Sequence, residues 1–203
     1  MRDPNIRAGT SSDITDAFIG AAAGAAAVWV MDRVDWFNFE HEDERARKRT
    51  QAVRPGGMDP AHTAASASAE ALGYDLEPKQ YNAAGLATHY SIGIVPGALY
   101  AILRKRVPGL NAGRGTAFGL GLFFLQDEGL NVLTGLSAKP GEYPWQAHAR
   151  GLVAHAVYGL VLETTLEMAD GLRRMDRDER DGQQSAASPK NSPGCVLRLA
   201  SAA

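Results

Sequence analysis

The chain is short of the residues that hold small secreted domains together. Its 203 residues include one cysteine, Cys195, which stands in the polar stretch "SAASPKNSPGCVLRLASAA". That count excludes a disulfide framework and a cysteine-based zinc site. Aromatic residues make up only 7% of the chain, and neither sign of charge is in excess: 21 Lys and Arg stand against 23 Asp and Glu, for a formal net charge of -2. Duplex-binding proteins gather surplus Lys and Arg on one face, so no nucleic-acid partner is expected. The long apolar stretches are also poor in β-branched runs, which favours helix over strand.

What is present is segregation. Mean hydropathy over the chain is -0.22, yet the apolar residues fall into four blocks: Ala17 to Met31, Ala83 to Leu103, Gly115 to Leu136 and Gly151 to Leu166. A membrane-spanning helix needs roughly 20 largely apolar residues. The second and third blocks have that length, and the first and fourth reach it with their flanks. Glycines recur along all four blocks at helical spacings, among them Gly20 and Gly24, Gly93 and Gly97, Gly115 and Gly119, Gly151 and Gly159. In water each mid-helix glycine costs about 1 kcal/mol, whereas in lipid small residues let helices approach closely. The pattern therefore predicts an all-α fold, a four-helix transmembrane bundle with spans near residues 17–37, 83–103, 115–136 and 148–168. A soluble bundle with glycine-lined faces is the competing reading. The first block is read as a retained helix rather than a signal peptide, because Asp3, Asp13 and Asp16 precede it and its apolar run continues to Met31.

Around this membrane domain, residues 17–169, the sequence predicts an N-terminal segment, residues 1–16, and a disordered tail, residues 170–203, rich in Arg, Ser, Gly and Pro. Residues 38–82 form a polar insertion between the first two spans. Trp36, Phe37 and Phe39 read as an interfacial aromatic belt, and Glu40 to Arg49 as a helix with a solvated, acid–base paired face. Asp59 as N-cap, Pro60 in the first turn and Gly73 as terminator predict a short surface-lying helix. Arg and Lys near the span ends lean towards both termini inside, although the insertion carries a basic run of its own.

Two of the blocks repeat the other two. Residues 85–93, "GLATHYSIG", and 151–159, "GLVAHAVYG", share G-L-x-x-H-x-x-x-G, while residues 24–32 and 119–127 share a glycine eight residues before an aspartate. The order is the same in both halves, an Asp helix followed by a His helix, which suggests a tandem duplication of a helical hairpin. Asp32 and Asp127 lie late in their helices, and His89 and His155 early in the returning ones, so all four fall near the same end of the bundle. Gly24, Gly85, Gly93, Gly119, Gly151 and Gly159 are the expected helix-packing positions. The segment "LFFLQDEGLNVL", residues 122–133, sets Gln126, Asp127 and Glu128 inside an apolar run. These observations predict a central polar cluster of Asp32, His89, Asp127, Glu128, His155 and Glu163.

Ionisable groups inside a bilayer are costly, usually face the interior, and mark sites or pathways. Three readings of the cluster compete: interhelical glue in a non-catalytic scaffold or assembly factor; a site that binds or relays protons or a cation; and metal chemistry in a helical-bundle metalloprotein. The ligand types suit Zn or Fe, but the Glu-x-x-His spacing of di-iron bundles is missing, so no cofactor is predicted. No catalytic residue is assigned and an enzyme is not favoured. The expected partners are the lipid bilayer and a second copy or another membrane protein.

Gly135 and Leu136, Pro144 and Trp145, and then His155, Tyr158 and Glu163 resemble the pattern of the YagU-like bacterial inner-membrane family of unknown function. The resemblance covers mainly residues 119–163 and implies a multi-pass protein of the bacterial inner membrane with no assigned reaction. The long charged insertion departs from that family, and Asp32 and Asp127 are not part of its pattern.

Overall fold

A computed structural model describes residues 4–77 and 82–187, with backbone alone for residues 4–11 and 185–187. The chain is all-helical, and no strand occurs among the described residues. Helices α1 (Pro4–His41), α4 (Ala83–Leu103) and α7 (Trp145–Ala187) are long and apolar enough to cross a membrane. The third apolar block is different. It opens as α5 (Thr116–Leu122), winds as a π-helix through Phe123–Leu130, and closes in the short α6 (Asn131–Leu133). The path stays helical throughout, but the π winding and the acids it carries set this block apart from the other three.

The residues outside and inside are distributed as lipid would require. Phe18, Trp29, Val95, Leu99, Phe124, Leu125 and Leu160 are exposed, while the buried positions hold Ala23, Ala27, Ala101, Ala154 and several glycines. A soluble domain would turn its large apolar side chains inward. Here small residues make the contacts. Gly20 and Gly24 of α1 face the backbone of Gly93 and Gly97 on α4, and Gly115 and Gly119 meet His155 and Gly159 of α7 so closely that no Cβ fits between them. Tyr100, Tyr158, Leu162 and Leu166 fill the remaining centre.

Pro96 lies within α4 and cannot donate to the carbonyl of Ile92. Gln126 Nε2 supplies a donor instead, 3.4 Å from Ile92 O. One turn of the π-helix thus satisfies an acceptor that proline leaves open.

The insertion carries two helices, α2 (Glu44–Val53) and α3 (Pro60–Ala71). Asp43 and Asp59 cap them, each accepting two backbone N–H bonds. α3 is not simply surface-lying, because Ala61, His62 and Ala65 are buried and the helix packs on α4. Nor is α2 wholly solvated. Lys48 and Glu44 pair in solvent at 2.7 Å, but Ala46 and Thr50 on the other side are buried. Arg49 Nε donates to Glu142 O at 2.9 Å, tying the insertion to the connection that precedes α7.

The described residues fall into two compact units, one running to Glu167 and the other starting at Met168. The residues read as a disordered tail continue α7 as far as Ala187. Four-residue spacings explain this: Arg180 pairs with Asp176 at 3.0 Å, and Gln183 bonds Glu179. The rest of the expected tail, with Cys195, and the first residues of the N-terminal segment lie outside the described residues.

Candidate functional site

A cavity of about 410 Å³ opens at the end of the bundle that carries the insertion. Its walls come from the late part of α1, the early part of α4, the π-helix, the first turns of α7 and the insertion. Asp32, His89, Asp127, Glu128 and His155 all line it. The lining also includes groups outside the predicted cluster, notably Asp59, His62, His148, Asp35, Arg150 and Thr50.

The titratable groups are arranged as pairs. His89 Nε2 lies 2.8 Å from Asp32 Oδ1, joining α4 to α1. His148 Nδ1 lies 2.6 Å from Glu128 Oε1, and its Nε2 is 3.0 Å from the carbonyl of Pro140, which fixes the ring at both nitrogens. His62 Nδ1 is 2.8 Å from Asp59 Oδ2. In the fourth pair His155 Nδ1 stands 3.8 Å from Asp127 Oδ2 and bonds the carbonyl of Gly151 at 3.0 Å instead. Four of the chain's five histidines therefore face one cavity, each beside a carboxylate. A neutral imidazole next to a carboxylate can take up or pass on a proton near neutral pH, because its ordinary pKa lies close to 6.5.

The π winding places the acids of this wall. The N–H of Asn131 bonds the carbonyl of Gln126 five residues back, so the turn holding Asp127 and Glu128 is wider than an α-turn. Both carboxylates thereby reach the cavity, while Gln126 reaches α4. Asp127 is held more loosely than the other acids: Asn131 Nδ2 donates to its Oδ1 at 3.5 Å, and His155 Nδ1 stands 3.8 Å from its Oδ2.

Glu163 does not line the cavity. It is 2% exposed and accepts from Tyr100 Oη and from Arg104 Nη1, both at 2.8 Å, in a separate buried network joining α4 and α7. Eight residues beyond His155, it lies about 12 Å along the helix axis. The predicted packing glycines also divide. Gly24 and Gly119 meet backbone of a neighbouring helix, as does Gly159, whereas Gly85 receives the ring of His62, Gly93 the Val28 side chain and Gly151 the ring of Phe123.

Arg150 closes one side of the site. It is 7% exposed, donates from Nε to Asp35 at 2.9 Å and from Nη1 to Glu42 at 2.7 Å, and lies over the ring of Phe39. These contacts join the end of α1 to the start of α7. No sequence motif marks them, whereas Asp59 and His62 could have been read as a pair from their spacing of three on α3. His148 shares the helical stripe of His155, one further signal in the sequence. Among the described residues no group of three His, Cys, Asp or Glu side chains converges tightly enough to hold a metal ion. Comparison of the chain with family models, with curated proteins and with solved structures gives no match.

Proposed function

We propose that the protein is a four-helix integral membrane protein whose cavity binds or relays protons or a cation. The observation that carries the reading is the set of four carboxylate–imidazole pairs on one cavity wall, one of them on the insertion and the others on the bundle helices. Such groups are expensive in a bilayer unless they pair and serve a pathway. The helix from Thr116 to Leu133 serves as the remaining span, its apolar outer face formed by Phe124, Leu125, Leu130 and Leu133. The two hairpins, α1 with α4 and the third helical block with α7, are read as duplicated halves, with Asp32 beside His89 in one and Asp127 beside His155 in the other. The resemblance to the YagU-like family supports a place in the bacterial inner membrane, and the arginines and lysines near the span ends support termini on the cytoplasmic side.

The test is proton flux into proteoliposomes under a potassium-diffusion potential, followed by a pH-sensitive dye inside. Wild-type protein should exceed empty liposomes, and Asp127→Asn should remove the excess. Flux at the background of empty liposomes would sink the relay. A scaffold role is the second reading, favoured by the Tyr100, Arg104 and Glu163 network, which locks two helices without facing the cavity. It predicts no flux, together with co-purification of a membrane partner or a second copy.

A further inference from the structure

Resting on that reading of the cavity as a cation site, we propose that the species it takes is an amphipathic organic cation, a compact apolar body carrying a protonated amine that docks on Asp127. The sign of the charge comes first. Asp32, Asp35, Asp59, Asp127 and Glu128 line the cavity against only two guanidinium groups, Arg54 and Arg150. Arg150 is already held by Asp35 and Glu42. The four histidines of the wall add no charge while their imidazoles are neutral, and in that state an anion would meet an excess of carboxylates, so a cation is favoured.

Lining chemistry then separates organic from inorganic cations. Much of the wall is apolar or aromatic, with Trp36, Phe123, Tyr143 and Tyr158 among its residues. A hydrated metal ion gains nothing from such a wall, whereas an organic ammonium gains both burial of its body and attraction to ring faces. At about 410 Å³ the cavity falls within the size range of small-molecule pockets.

The docking point follows from the pairs themselves. Three carboxylates are closed onto their histidines at hydrogen-bond distance, at 2.6 to 2.8 Å. Asp127 is the most loosely held, because His155 spends its Nδ1 on the Gly151 carbonyl and stands 3.8 Å from Oδ2, while Asn131 Nδ2 donates to Oδ1 only at 3.5 Å. It keeps accepting capacity for an ammonium donor.

The experiment is calorimetric titration of the full-length protein in lipid nanodiscs with adamantan-1-amine and with adamantan-1-ol, which share one apolar body. The amine should bind saturably and at least about tenfold more tightly than the alcohol, the difference expected when a charged hydrogen bond is gained. Asp127→Asn should abolish that preference. Equal affinity for amine and alcohol overturns the proposal, as does a preference for the amine that survives Asp127→Asn. The amine–alcohol comparison needs only the wild-type protein, so it decides even if a variant fails to assemble. Proton flux without amine preference sinks this inference and spares the relay; amine preference without flux does the reverse.

Discussion

At the scale of single residues, the most consequential charges are the ones furthest from water. Glu163 satisfies Tyr100 and Arg104 together, and all three are nearly inaccessible. Removing one member of a buried ion pair strands the other, at a typical cost of about 3–5 kcal/mol. Glu163→Leu should therefore lower the thermal stability of the detergent-solubilised protein severely, and adding Arg104→Met should restore much of the loss. Additive losses would mean that the pair is not coupled. The cavity pairs obey the same rule with smaller numbers, since interhelical polar contacts in membranes average about 0.6 kcal/mol. In a double-mutant cycle Asp32 and His89, 2.8 Å apart, should show coupling of about that size. His155 with Asp127 should show less, because 3.8 Å is beyond hydrogen-bond reach. Coupling of His89 to Asp127 as strong as to Asp32 would place the pairing across the two halves.

At the scale of elements, glycine and proline decide how the helices meet. Gly119 and Gly121 lie two residues apart and have opposite surroundings. A Cβ on Gly119 would strike the carbonyl of His155 and the N–H of Gly159, whereas one on Gly121 would meet nothing within 4 Å. Gly119→Ala should push α5 from α7 and destabilise the protein. Gly121→Ala should be neutral or stabilising by up to about 1 kcal/mol, the ordinary helix preference for alanine. Thermal melts of the two variants that shift alike would count against the close backbone contact. Gln126→Leu should expose the Ile92 carbonyl left by Pro96, at about 1–3 kcal/mol, and Pro96→Ala should rescue it by restoring a donor. The limits of α4 and the capping of α3 were legible in the sequence, since periodic glycine, Asp59 and Pro60 act within one turn. The π-helix was not legible, because the turn is set by contacts of Gln126, Asp127 and Glu128 with other helices. That Asp32 and His89 fall at one end of the bundle was legible through chain order, but not which carboxylate each histidine meets. Arg150 with Glu42, and His62 seated on Gly85, depend on the insertion folding back over the bundle, which no local pattern encodes. Glu163 was drawn into the cluster by its stripe, and its distance along the axis separates it.

At the scale of the molecule, the open question of architecture is whether the third helical block crosses the membrane. Three helices meet the length and apolarity of a span. If only those three crossed, the connection after α1 and the connection before α7 would face opposite sides. The contact between Arg49 and Glu142 requires the reverse, because it joins those two connections at one end of the bundle. If α1, α4 and α7 all span, as proposed, that closure predicts a further crossing between residues 104 and 144. Only the path from Thr116 to Leu133 is available for it. The prediction can be checked by replacing Cys195 with serine and introducing single cysteines at Ala52, Ala112 and Gly141. All three positions are exposed, and none has a positive φ. A membrane-impermeant maleimide added to sealed vesicles of one orientation should label Ala52→Cys and Gly141→Cys together and leave Ala112→Cys to vesicles of the other orientation. Four crossings require that grouping. Labelling of Ala112→Cys with Gly141→Cys, and of Ala52→Cys from the opposite side, would reduce the bundle to three spans. Asp127 and Glu128 would then lie on a helix outside the bilayer, and the cost of burying charge in lipid would no longer argue for a pathway.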